Sequence, residues 1–183
     1  MRALVKFKEV TDAVPNTPLA LMAHFNAGLA LFINRDYDGA RAKFQFFLDQ
    51  FSYSPLADFA HYFLGCALIA QKQYSRAIDH LMPLTRSNNN FLAAHANYFI
   101  GYAQLALGKA QEAVERFQRV RANYPRTMVS GYAHLQLAAA MLATADTAQT
   151  LLATSQLSRM FTTGVLSGVG NYLSGVIYYQ LGD

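Results

Sequence analysis

Cysteine occurs once in 183 residues, as Cys66, which excludes an internal disulfide and any multi-thiolate zinc or iron–sulfur site within one chain. Charge is equally scarce. Asp, Glu, Lys and Arg make up 14% of the chain, against about a quarter of a typical soluble domain, so an unusual share of the surface is apolar or covered. The scarcity is uneven: in residues 127–183 only Asp146, Arg159 and Asp183 are charged. A net charge of +4 is too weak for a nucleic-acid surface, which needs a basic stripe of clustered Lys and Arg. The nearest approach is Arg116, Arg119, Arg121 and Arg126. It reads as a solvated helix face, with Glu112 and Glu115 placed one helical turn before Arg116 and Arg119. Also missing are a phosphate-cradling glycine loop, a dinucleotide fingerprint and a helical two-histidine zinc motif. What is present is 53% hydrophobic residues, enough for a core and too many for a disordered chain.

Sliding the chain against itself exposes a repeat. Matching segments begin at His24, His61, Asn97, His134 and Asn171, spaced by 37, 36, 37 and 37 residues. A second block follows each of the first three, from Tyr37, Tyr74 and Ala110, and a degenerate one follows the fourth from Thr147. Apolar residues recur at three- and four-residue intervals, as in Phe25, Leu29 and Phe32 or Ala113, Phe117 and Val120, so both blocks predict amphipathic helices. Each repeat is then a helical hairpin. Thr17-Pro18 and Ser54-Pro55 mark helix starts, with a hydroxyl to cap free N–H groups and proline in the first turn. Arg35-Asp36, Gln71 to Gln73 and Gly108-Lys109 mark the hairpin turns. Pro83 falls inside a second helix and should kink it.

One register of the first helices holds Gly28, Gly65, Gly101, Ala138 and Gly175, and one register of the second helices holds Ala40, Ala77 and Ala113. Small residues there let helices approach closely, and Phe44, Leu81 and Phe117 are the large partners expected to fill the groove.

The pattern resembles the tetratricopeptide repeat. Its residues are matched by Leu64-Gly65, Tyr74, Ala77 and Leu81 in one repeat and by Ile100-Gly101, Ala113, Phe117 and Pro125 in the next. The family's usual aromatic three residues before the leucine is replaced by His24, His61, Asn97, His134 and Asn171. The resemblance implies an all-α fold, a right-handed α-solenoid of roughly ten helices. Expected boundaries are a second helix of a preceding repeat over 1–16, four hairpins over 17–53, 54–89, 90–126 and 127–163, and a first helix of a fifth repeat over 164–183. On that expectation the chain is part of a longer array. Its period and Ser-Pro start are more similar to bacterial envelope members, such as outer-membrane assembly lipoproteins and Tol–Pal-associated coordinators, than to the 34-residue cytosolic type. That favours the periplasm or cell envelope over the cytoplasm.

In this family the first helices line the concave surface. Register then assigns a candidate partner-binding groove to Met22, Phe25, Leu29, Phe59, Tyr62, His95, Tyr98, Tyr102, Tyr132, Tyr172 and Tyr179. For any single side chain, packing against neighbouring helices is the simpler reading. The recurrence of tyrosine in one register points instead to an aromatic groove for an apolar or amphipathic peptide. Chaperone-adaptor members grip a C-terminal carboxylate with Lys, Arg and Asn in these rows, and the absence of Lys and Arg here argues against an acidic C-terminal peptide.

No catalytic residue, cofactor or metal is expected. His24, His61 and His134 repeat with the hairpins, about 10 Å apart by helix spacing, so they cannot share an ion and should be hydrogen-bonded packing residues. Cys66, five residues from His61, reads as a buried thiol. Residues 160–182 contain no Asp, Glu, Lys or Arg, but Asn171, Gln180 and the glycines argue against a membrane span. The expected role is a non-enzymatic interaction scaffold. The alternatives are a self-assembling module forming homo-oligomers and the interaction domain of a larger envelope or secretion-related protein. Threonines around Thr150 and Thr154 make the fourth second helix the least stable element expected.

Overall fold

In a computed structural model of the chain, residues 2–15, 17–144, 151, 152, 155, 159, 172 and 175 are described. The architecture is all-α, with the hairpin order of an α-solenoid. The chain divides into two compact units, Met1–Ser87 and Asn88–Asp183. The first holds α1 (Arg2–Ala13), α2 (Pro18–Ile33), α3 (Tyr37–Phe51), α4 (Ala57–Ala70) and α5 (Tyr74–Leu81), then a 3₁₀ turn over Pro83–Arg86. The second holds α6 (Asn90–Ala106), α7 (Ala110–Asn123) and α8 (Met128–Ala143). Eight α-helices therefore lie among the described residues. The helices expected over 147–161 and 164–183 fall largely outside them, as does the neutral stretch 160–182, although Leu151, Leu152, Ser155, Arg159, Tyr172 and Gly175 are helical. Among the described residues no helix is long and apolar enough to cross a membrane.

Each unit is built from consecutive helices packed side by side, with α2 also touching α4 and α6 touching α8. The small-to-large pairing read from register is how they interlock. A Cβ placed on Gly28 would lie 2.8 Å from Phe44, one on Gly65 2.6 Å from Leu81, and one on Gly101 2.9 Å from Phe117. The core of the first unit is aromatic. Phe25 meets Phe44 and Phe47 edge-on, with centroids 5.7 and 5.6 Å apart, and Phe44 stacks on Phe63. In the second unit Phe117, Val120, Leu137 and Met141 close over a floor of alanines.

The hairpin turns share one conformation. Arg35, Lys72 and Gly108 all have positive φ, at 62°, 59° and 77°. The next residue's N–H reaches back five positions, as in Asp36 to Leu31, Gln73 to Leu68 and Lys109 to Gln104. These bonds satisfy carbonyls that the helix end leaves open.

Two local expectations need correction. Thr17 caps α2 as read, its Oγ1 accepting from Ala20 N–H at 3.2 Å with Pro18 in the first turn. Ser54 does not cap α4. Its Oγ accepts from Leu56 N–H at 3.1 Å inside a turn, and α4 begins only at Ala57, where Leu56 lacks a capping side chain. Pro83 ends α5 rather than kinking it: without an N–H to continue the ladder the chain tightens into the 3₁₀ turn, which still buries Leu84.

Candidate functional site

The register position that opens each repeat motif is polar, and its chemistry is resolved across the hairpin. Nineteen residues after His61 stands His80, with the two Nδ1 atoms 3.2 Å apart; nineteen after Asn97 stands Arg116, whose Nη1 donates to Asn97 Oδ1 at 3.2 Å. Lys43 bears the same relation to His24 and pushes its pKa down, after burial, while the ring of His24 packs on Phe46 and Phe51. Asn97 and His134 each also donate to the carbonyl four residues back, both at 2.8 Å. His24, His61 and Asn97 hold first helix to second helix. The imidazole centroids of His61 and His80 lie 5.5 Å apart, about the Nδ1 separation plus two ring radii, so the nitrogens point at one another as in an N–H···N hydrogen bond. His80 stands on a second helix, where the equivalent residues are Lys43 and Arg116 and no one residue type recurs to mark the position.

The candidate groove residues divide by burial. In the first unit Phe25 and Tyr62 are buried in the core, with 7% and 8% of their surface exposed. Leu29 and Phe59 are partly buried against the same core. Met22 stands out at 53% exposed and lines an apolar cavity of about 560 Å³ with Leu21, Phe51 and Leu56. Tyr62 and Cys66 share a side-chain hydrogen bond; burial pushes the Cys66 thiol up to about 12 and raises Tyr62 as well. A neutral thiol is a poor nucleophile, consistent with a packing role.

In the second unit the candidates come together. Spacings of three and four place His95, Tyr98 and Tyr102 on one face of α6, the face that meets α8. Tyr98 is half-buried, hydrogen-bonded to the Gln136 side chain, and close enough to Tyr102 and Tyr132 for their hydroxyls to raise its pKa further after burial has done so. Its ring lies 5.9 Å from that of Phe117. Tyr102 and Tyr132 expose 36% and 49% of their surface. His95 sits at the near end, its Nδ1 donating to the Phe91 carbonyl at 2.8 Å and its ring against Phe91. Tyr172 is helical and exposed, while Tyr179 lies outside the described residues. Gln136 was not read from the sequence; its signal is its place four residues after Tyr132 on α8. Among the described residues no cluster of three His, Cys, Asp or Glu side chains suits a metal ion.

The tetratricopeptide repeat family model matches residues 1–55, 34–82 and 62–127, and the chain belongs to that family. Its members are helical-repeat scaffolds for protein interaction. No curated protein matches the chain in sequence. Solved structures share the fold. MamA superposes with a TM-score of 0.66 at 17% identity, covering 97% of this chain and 86% of its own. Residues 41 to the end of MamA from Desulfovibrio magneticus RS-1 give 0.73 at 22% identity over 85% and 81%. YrrB, described as a TPR protein with an unusual peptide-binding site, gives 0.71 at 16% identity over 96% and 83%.

Proposed function

We propose that the chain is a non-enzymatic scaffold that captures an apolar or amphipathic segment of a partner protein on the tyrosine face of α6 and α8. The observation that carries this reading is the grouping of Tyr98, Tyr102 and Tyr132 with Gln136. Two of these rings are well exposed, and the third is anchored on the core. Tyrosine presents flat apolar area with little side-chain entropy to lose, and its hydroxyl meets the backbone groups of a bound peptide. The rows contain no Lys or Arg, so an acidic C-terminal peptide lacks its counter-charge here. A solved relative in fold, YrrB, is described as having a peptide-binding site, which supports this class of ligand without naming one.

An array of amphipathic and apolar peptides probed with the full chain tests the proposal. Tyr102→Ala combined with Tyr132→Ala should weaken the selected binders at least about tenfold, because two exposed aromatic anchors are lost while the core is untouched. Unchanged binding by a variant of native helicity would refute it. A second reading, self-association, draws on exposed Leu19, Ile33 and Met128, at 58%, 79% and 83%. Sedimentation velocity over a concentration series decides it: a mass that rises with concentration supports it, and a constant monomer removes it.

A further inference from the structure

The histidines that recur on the first helices stand in different repeats, but the fold brings a histidine of a second helix up to one of them. His61 of α4 and His80 of α5 set their Nδ1 atoms 3.2 Å apart, and both rings are half-buried. An N–H···N hydrogen bond has that length, and two ligands of one ion are spaced almost the same. Nitrogens about 2.0–2.1 Å from a tetrahedral zinc ion stand about 3.3–3.4 Å from one another. The ring planes are inclined by 34°, and a small turn of each ring aims both Nδ1 lone pairs at one point beside the line that joins them.

The protons allow the exchange. A histidine at pH 7.5 is neutral and carries one ring proton. In the pair one Nδ1 donates its proton and the other Nδ1 accepts it. An ion therefore requires only that the donating ring move its proton to Nε2, after which both Nδ1 atoms have a lone pair to give and both rings remain neutral. Nearby carboxylates favour a cation. Asp58, one helical turn before His61, and Asp79, next to His80, each favour positive charge on the neighbouring imidazole. Arg76 opposes them at His80, with its Nη1 donating to Gln73 Oε1 at 2.7 Å.

We propose that His61 and His80 form a site for a divalent transition-metal ion of the zinc and copper class, held by the two Nδ1 atoms with water in the remaining positions. Imidazole suits zinc, copper and nickel, whereas magnesium and calcium take oxygen ligands. With two protein ligands the site stays open, and copper(II) binds it more tightly than zinc(II). An ion there spans α4 and α5 and stabilises the folded hairpin by mass action, because the unfolded chain does not hold the two rings together. The site belongs to the first unit and is separate in residues and chemistry from the tyrosine face of the second.

The test is an NMR titration of the full chain at pH 7.5 with zinc chloride, following the ring ¹⁵N resonances of the five histidines, with magnesium chloride as control. Saturable shifts of His61 and His80 are expected with zinc and none with magnesium, while His24, His95 and His134 stay in place. Substoichiometric copper(II), which is paramagnetic, should broaden His61 and His80 first. His80→Gln should weaken zinc binding about tenfold or more. Should that variant lose its fold, the tautomers of the unaltered chain decide: protons on both Nε2 atoms at zinc saturation support the site, and a proton kept on either Nδ1 overturns it. The proposal is also overturned by no saturable shift up to ~1 mM zinc, by equal shifts at the other histidines, or by a folded His80→Gln chain that binds zinc as tightly.

Discussion

Gly65 shows how a single missing atom sets the spacing of two helices. Its absent Cβ is the space that Leu81 occupies, with Cγ 2.6 Å from where that atom would stand. Gly65→Ala should therefore cost about 1–3 kcal/mol by chemical denaturation. Leu81→Ala should cost less in that background than alone, because the alanine Cβ fills part of the hole; strictly additive effects would contradict the interlock. At the turn, Lys72 holds φ near 59°, which an L side chain adopts at a cost and glycine adopts freely, as Gly108 does one repeat later. Lys72→Gly should raise stability by about 0.5–1 kcal/mol, and a loss would contradict it. The small and large residues of the interlock were legible in the sequence because they recur in one register. The partners of His61 and Asn97 were not. His80 and Arg116 differ in type from repeat to repeat, so what recurs is a position nineteen residues on rather than a residue.

At the scale of elements, the pair His61 and His80 joins α4 to α5 and makes that junction sensitive to acid. Both pKa values lie below the ordinary 6.5. Burial is the main cause in each, with Asp58 opposing it at His61, and with His61 and Arg76 adding to it and Asp79 opposing it at His80. The unfolded chain therefore takes up protons first. Stability is full above about pH 6.5 and declines as pH falls through the lowered folded values. His24, His95 and His134 shift in the same direction and add to the slope. Urea midpoints should thus drop between pH 7.5 and pH 5, and His80→Gln should flatten part of that drop; a profile unchanged by the substitution would remove the pair from the account. Helix existence and hairpin turns were legible from periodicity and turn residues. The starting point of α4 and the end of α5 were not. A Ser-Pro pair serves a turn as readily as a cap, and whether proline kinks or stops a helix depends on the residues beyond it, here a 3₁₀ turn that already places Leu84 in the core.

For the whole molecule, low charge and repeated small-to-large pairing yield helices committed to one another, with function left to the faces that remain. Family membership was legible from the Leu-Gly, Tyr, Ala and large apolar positions, and the family model matches residues 1–127. The candidate groove was legible only as a set of registers. Register assigns a face but not depth, so Phe25 and Tyr62, which share a register with Tyr98, are drawn into an aromatic core that Phe44, Phe47 and Phe63 create in the first unit. Peptide capture, as proposed, rests on the residues that stay accessible, Tyr102 and Tyr132 beside the anchored Tyr98. Its most direct test is NMR of the full chain with ¹³C-labelled tyrosine, titrated with the strongest peptide from the array. Tyr53, fully exposed in the other unit, serves as an internal control. Saturable shifts of Tyr98, Tyr102 and Tyr132 are expected with Tyr53 unmoved; shifts confined to other tyrosines, or shared equally by Tyr53, would rule out capture on this face.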